Sequence, residues 1–308
     1  MFEAQLISVL SKIHGNEPFL ADAEIIPVGN GVELVSVDSF SEQEDFFNGL
    51  SPKQMGRQMA IACCSDILAC GASPRYLLQA WNTDACHDTV FYAEVASGIQ
   101  EVLEAYGAKC LGGDMGTLPV WNWTGTAIGF TDVPIMRRSS KRISFDLYAS
   151  APFGRANAAF FSSQSLPEFS LNQPVPSEAL FATDSSGGFF DALENFRRAN
   201  QGMHLEIDAS LALAPEVVSL FAGKVEPALA LVGGIGEYEL LFAMPAGTNF
   251  PNAVQVGTGC FSEQEENEFL VCYQGKRGRM KASPPDYRSI DADRWLAATV
   301  EYWEGLFR

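Results

Sequence analysis

Histidine and basic side chains are scarce in this chain, and each shortage removes a class of function. The three histidines, His14, His87 and His204, form no HExxH pattern. A histidine-ligated zinc centre is therefore not expected, and each reads as an ordinary surface or core residue. Lysine and arginine number 20 against 38 aspartates and glutamates, a formal charge of −18. A sequence-independent nucleic-acid binder needs an extended basic surface to answer the phosphate backbone, so no nucleic-acid partner is expected. Two short basic clusters remain. Arg137-Arg138 with Lys141-Arg142 fits a solvated turn and a phosphate contact equally well, whereas Lys276-Arg277 with Arg279 and Lys281 reads as a solvated segment. No apolar run reaches the length of a bilayer, and Met1 to Leu6 carry no basic stretch leading into an apolar one. The expectation is a cytoplasmic protein with no membrane partner. The seven cysteines, at 63, 64, 70, 86, 110, 260 and 272, show no CxxC spacing and read as reduced, mostly core thiols. Neither Gly29-Asn30-Gly31 nor Gly257-Thr258-Gly259 completes a GxGxxG dinucleotide fingerprint.

What is present is an alternation of helix-like and strand-like segments over 308 residues, 47% hydrophobic, with room for two domains. Glu3 to Ile13 has helical apolar spacing through Leu6, Val9, Leu10 and Ile13, followed by a turn at His14-Gly15-Asn16-Glu17-Pro18. Gly29-Asn30-Gly31 predicts a hairpin between Ala23 to Val28 and a strand over Glu33 to Asp38, with Asp38 at the strand end. Ser51-Pro52 opens a helix, Ser as cap and Pro at its first position, and the small residues Ala60, Ala62, Cys63 and Cys64 permit close packing. Asp66 falls inside that helix. Tyr76 to Trp81 reads as a strand, Val90 to Tyr106 as a helix ended by Gly107, Lys109 to Leu111 as a strand running into Gly112-Gly113-Asp114, and Thr124 to Phe130 as another strand. After Pro134 the alternation resumes with a strand at Asp146 to Ala149, a helix at Arg155 to Phe161, and Leu180 to Thr183. The stretch 162 to 178 is expected to be a disordered loop. Trp121-Asn122-Trp123, with no basic neighbours, reads as a strand-edge or interface pair and not a base-stacking one. Phe189-Phe190 reads as core.

Carboxylates recur beside glycines and small residues along the chain. Asp22, Asp38, Asp66, Asp114 and Asp184 lie at element ends or next to residues that let a ligand approach the backbone. Magnesium prefers oxygen ligands and bridges carboxylates to substrate phosphates, so the recurrence points to a shared metal and phosphate site. Any one aspartate alone fits a cap or turn.

The same segments carry a resemblance. Ser36-Val37-Asp38-Ser39, Ser65-Asp66-Ile67-Leu68-Ala69-Cys70-Gly71-Ala72-Ser73-Pro74, Gly112-Gly113-Asp114, Thr183-Asp184-Ser185-Ser186-Gly187-Gly188 and Glu237-Tyr238-Glu239-Leu240 follow one another at the spacing of a known superfamily. It is the group of ATP-dependent enzymes that includes thiamine-monophosphate kinase, aminoimidazole ribonucleotide synthetase, selenophosphate synthetase and a hydrogenase maturation protein. The thiamine-monophosphate kinase pattern is the most similar. The resemblance implies an α/β fold of two domains, 1–136 for ATP and metal binding and dimerisation and 137–308 as an α/β sandwich. It also implies a homodimer paired through the first sheet, with ATP near that interface and magnesium held by aspartates from both domains. Carried over residue by residue, Asp22, Asp38, Asp66, Asp114 and Asp184 are metal or phosphate ligands, while Ser39, Gly112, Gly113, Arg138 and Ser186 bind the nucleotide.

The chain departs from the pattern at several of these positions. Leu20-Ala21-Asp22-Ala23-Glu24 stands for Gly-Asp-Asp-Ala-Ala, and Asp184-Ser185-Ser186-Gly187-Gly188 for Asp-Ile-Ser-Asp-Gly, so carboxylates are missing at 21 and 187. Asp45-Phe46 replaces a His-Phe pair, and Met115-Gly116 a Thr pair. Three readings follow. The leading one is a magnesium- and ATP-dependent kinase or synthetase acting on a small-molecule phosphoacceptor, thiamine monophosphate first. The second is a catalytically inactive nucleotide-binding dimer of the same fold. The third is an unrelated acidic α/β protein whose Gly-Asp turns are structural.

Overall fold

Periodicity and capping account for most of the elements seen in the computed structural model, which describes residues 2–16, 18–45, 47–285, 290 and 292–308. Glu17 of the expected first turn and Phe46 lie outside them. In chain order the first half holds α1 (Phe2–His14), β1 (Glu24–Val28), β2 (Gly31–Ser41), α2 (Pro52–Ala69), β3 (Pro74–Thr83), α3 (Thr89–Tyr106), β4 (Lys109–Thr117) and β5 (Asn122–Thr131). The second half holds β6 (Phe145–Ala149), α4 (Arg155–Phe161), β7 (Phe181–Asp184), α5 (Phe189–Ala199), β8 (Met203–Asp208), α6 (Ala209–Ala212), α7 (Pro215–Phe221), α8 (Leu229–Val232), β9 (Leu240–Pro245), β10 (Val254–Phe261), β11 (Glu268–Tyr273), β12 (Lys276–Arg279) and α9 (Ala292–Leu306).

Two sheets organise the chain. The first runs β1-β2-β5-β3-β4, with β3 and β4 parallel and the other pairs antiparallel. The second runs β12-β11-β8-β10-β6-β9-β7, with β11 parallel to β8. The expected domain boundary, 136/137, falls in the segment joining β5 to β6.

Helix α2 lies between the sheets. It starts where Ser51 and Gln54 cap each other reciprocally, which satisfies two backbone N–H groups that the first turn leaves without partners. It is buried on nearly every side. Met59, Ile61, Cys63, Cys64 and Ile67 pack with the first sheet's inner face, while Leu68 and Ala69 join Tyr148, Leu240 and Phe242 of the second. A helix sandwiched in this way needs small residues where neighbours approach. A side chain at Gly56 would collide with the Val95 carbonyl of α3, and one at Gly98 with the Lys53 carbonyl. Helix α3 ends at Gly107 in the left-handed conformation, φ 68°.

Three expectations about local structure are corrected. Asp38 is inside β2, which continues to Ser41 and pairs with β5 along its length. Trp121 and Trp123 are not at an edge: both are fully buried, and Trp123 is on the central strand β5 with its indole N–H donating to Gln79 Oε1 at 2.9 Å. Their spacing of two places both rings on the core side. The stretch 162–178 is an ordered strap. Leu166 N donates to Asn48 O, Gln58 Nε2 to Pro167 O, Asn172 Nδ2 to Tyr238 O and Val175 N to Leu68 O, and Leu166, Phe169 and Val175 are buried. These apolar residues give the strap burial that a disordered loop lacks.

Candidate metal and nucleotide site

Three of the five aspartates converge. Asp22 precedes β1, Asp66 occupies the last turn of α2, and Asp184 ends β7, so the first and second sheets and the helix between them each deliver one carboxylate. One oxygen from each lies within 4.8 Å of the others. Asp66 accepts from Ser36 Oγ at 2.5 Å and Asp184 from Ser65 Oγ at 2.6 Å. Asp22 Oδ1 accepts from Thr183 Oγ1 at 2.8 Å and from Arg137 Nε and Nη2 at 3.0 and 2.5 Å.

Asp38 stands beside this cluster on the inner side of β2. Its Oδ2 is buried with no hydrogen-bond partner among the described residues. Burial, then the nearby Asp184, then Asp45, push its carboxyl up to about 7. Burial and Asp22 raise Asp184 to about 6, against the opposing pull of Ser65 and Arg137. Burial and the neighbouring carboxylates also raise Asp66 well above the usual range. Negative charge is thus in excess in a desolvated place, the condition a bound cation relieves. Hard, all-oxygen donors with an orphaned carboxylate oxygen next to them fit magnesium.

Of the remaining expected residues, Ser186 adjoins the cluster and Ser39 borders a cavity next to Asp38, while the others lie elsewhere. Asp114 is exposed on the edge strand β4, in a cross-strand row with Ala80, Thr124 and Ser39 on the outer face of the first sheet. Ser39 is bonded there to Thr124 and Asn122. Gly112 and Gly113 are on the same edge strand, and a side chain at Gly113 would strike the Gln79 carbonyl. Arg138 points to the Ala199 carbonyl, 3.3 Å, so of the two consecutive arginines it is Arg137 that reaches the carboxylates. Ser186 is in the turn after β7, with its N–H 3.4 Å from Asp184 Oδ1.

A cavity of about 440 Å³ adjoins Asp38 and Ser186. Phe40, Phe47, Phe160, Phe169, Tyr238 and Trp295 line it, together with Asp38, Glu44 and Asp45, and among the described lining residues none is Lys, Arg or His. Its walls come from β2, the strap, the turn before β9 and α9. Tyr238 is held at φ 56°, a conformation rare for a residue with a side chain, between the buried Glu237 and Glu239. Glu237 accepts from the N–H groups of Gly154 and Ala156 at the start of α4, and Glu239 from Ser150. Sequence patterns flagged the Arg137-Arg138 pair but gave the site role to Arg138, and missed Trp295 and Phe169. The aromatic content of α9 was the one available signal for Trp295.

Comparison with known proteins adds relatives in sequence and fold. Residues 20–131 match the family described as AIR synthase related protein, N-terminal domain. A thiamine-monophosphate kinase of Archaeoglobus fulgidus is 29% identical over 46% of this chain and 48% of its own length. Another, of Methanospirillum hungatei, is 26% identical over 79% of this chain and 85% of its own. The chain thus matches about half of the first relative and most of the second. Among solved structures, AaThiL complexed with AMPPCP and TMP shares the fold at TM-score 0.76 and 17% identity, over 90% of this chain and 94% of that one. Residues 20–131 thus match the AIR synthase-related N-terminal domain, and the chain is similar in sequence to thiamine-monophosphate kinases and in fold to AaThiL.

Proposed function

We propose that the protein is a magnesium- and ATP-dependent phosphotransferase acting on a small phosphoacceptor, with thiamine monophosphate the leading candidate. The observation that carries the reading is the junction of the carboxylate cluster with the aromatic cavity at Asp38 and Ser186. Asp22, Asp66 and Asp184 are the proposed metal ligands. A magnesium ion bound there would neutralise phosphate charge, which the cavity's own side chains do not do. The aromatic walls would hold a flat acceptor against the cluster and exclude water, so the chain's contribution is positioning and charge placement. The kinase names of the relatives and the AMPPCP and TMP bound to AaThiL support this choice of nucleotide and acceptor.

Ser39, Gly112, Gly113 and Asp114 fit a second part of the proposed site, nucleotide binding near a homodimer interface. The outer face of the first sheet supports that dimer. Ile26, Val37, Tyr76, Leu78 and Phe130 are exposed on it, an apolar area of the kind that marks an interface. We take 1–136 as the nucleotide, metal and dimerisation domain and 137–308 as the second domain, with the protein in the cytoplasm. Among the described residues no helix is long and apolar enough to cross a membrane.

An inactive nucleotide-binding dimer is the second reading, favoured by Ala21 and Gly187. At 187 the loss is offset in part, because the Asp191 carboxylate of α5 fills the space a side chain there would take. The deciding experiment incubates the protein with ATP, magnesium and thiamine monophosphate and separates the products. Thiamine diphosphate rising in step with ADP supports the kinase. Nucleotide binding with no ADP formed from any acceptor would leave the inactive reading.

A further inference from the structure

The guanidinium of Arg137 is the one positive side chain bonded into the carboxylate cluster among the described residues, and its position is fixed from both halves of the chain. Its backbone N–H donates to Leu20 O at 2.9 Å, its carbonyl accepts from Asn200 Nδ2 at 2.9 Å, and its Nε reaches Thr183 Oγ1 at 3.2 Å. The side chain is 13% exposed and the Asp22 carboxylate it pairs with 1% exposed. An ion pair so removed from water is stabilised by close, multiple hydrogen bonds, and breaking it from one side leaves a buried charge without compensation.

The hydrogen bonds to Asp22 from Arg137 and Thr183 all fall on Oδ1. None of them uses Oδ2. The three carboxylates outnumber the guanidinium three to one, so with all three ionised the cluster would be short of two positive charges, the charge of one divalent ion.

We propose that Arg137 is a built-in counter-ion of this cluster: it holds Asp22 in place and keeps the three carboxylates together before a cation arrives, leaving Asp22 Oδ2, Asp66 and Asp184 for a single divalent ion. Arg137 is a positioning residue in this scheme and touches neither nucleotide nor acceptor. The inference rests on the reading of the cluster as a cation site. It accounts for how carboxylates desolvated to this degree stay together in metal-free protein, and it gives Arg137, not its neighbour Arg138, a role at the site.

Thermal unfolding of the full chain, stripped with EDTA and then titrated with magnesium or manganese alone, tests it in wild type and in Arg137→Met. The variant is expected to melt lower than wild type without metal and to recover most of the difference when metal is added, so that its metal-induced rise in Tm exceeds the wild-type rise. A structural tie with no counter-ion role would lower Tm by the same amount with and without metal, and that result overturns the proposal while leaving the cation site standing. If neither protein responds to either metal, the cation site itself fails and the proposal with it. Arg137→Lys keeps the charge and loses the two-pronged contact, and it serves if Arg137→Met does not fold. Its metal-induced rise is expected to match wild type, and a rise as large as its own metal-free loss would count against the charge argument.

Discussion

Two acidic regions meet at Asp38, and they differ in how their charge is answered. The cluster of Asp22, Asp66 and Asp184 has a guanidinium bonded into it and hydroxyls from Ser36, Ser65 and Thr183 on its oxygens. The cavity wall, with Asp38, Glu44 and Asp45, has aromatic rings for neighbours and no basic residue among the described lining. A carboxylate surrounded by donors is held in one orientation and can serve as a metal ligand. Under the proposed function the two regions would do different work, metal and phosphate on one side and the body of the acceptor on the other.

Removing a cluster carboxylate should break the arrangement most severely. Asp66→Asn or Asp184→Asn is expected to lower kcat by about a thousandfold, the loss of several kcal/mol of charge stabilisation, with a smaller change in acceptor KM. Unchanged kcat in both would place the chemistry elsewhere. Asp191→Asn should lower kcat by about tenfold if the carboxylate beside Gly187 contributes, and not at all if it only packs there. On the cavity side, Trp295→Ala should raise the acceptor KM by about tenfold and leave nucleotide affinity alone, because it removes an aromatic wall and no charge. A matching loss of nucleotide affinity would show that the two regions are not separate.

Proton linkage sharpens the comparison further. Asp38 is raised to about 7 and Asp184 to about 6, both mainly by burial, from an ordinary value of 3.8. A carboxyl whose pKa is higher folded than unfolded holds its proton more tightly when folded. Its stabilising contribution is full below about pH 4 and is lost as pH rises to about 7. Metal-free protein should therefore lose stability from pH 4 to 7 in urea unfolding, and magnesium, which favours the ionised carboxylates, should flatten that slope. Glu237 provides the control. It is raised from 4.5 to about 7 by burial, opposed by the N–H groups of Gly154 and Ala156, and takes no part in the cluster. Its share of the slope should persist with magnesium present and vanish in Glu237→Gln. A slope that magnesium leaves untouched would contradict a cation site at the aspartates.

Much of the fold was legible because local rules and tertiary packing agree there. Ser51 and Pro52 mark the start of α2, Gly107 the end of α3, and Gly29-Asn30-Gly31 the first hairpin. Asp66 and Asp184 could be singled out because they stand beside small residues. What could not be read depended on the third dimension. Arg137 and Arg138 lie in an irregular segment, where no periodicity says which of two neighbours turns inward. The spacing of Trp121 and Trp123 puts them on one face without saying that the face is the core. The cavity is assembled from β2, the strap and α9, segments so far apart in sequence that no local pattern joins Phe40, Phe169 and Trp295. Asp114 read like its fellow aspartates, yet the parallel pairing of β4 with β3 carries it to the sheet edge, away from the cluster.

The most direct test of the central claim, that these aspartates form a magnesium-dependent nucleotide site, is calorimetric titration with AMPPCP with and without magnesium, in wild type and Asp184→Asn. Binding that requires magnesium and disappears in the variant is the expected result. Failure of the wild type to bind millimolar nucleotide with magnesium present, or equal binding by the variant, would contradict it.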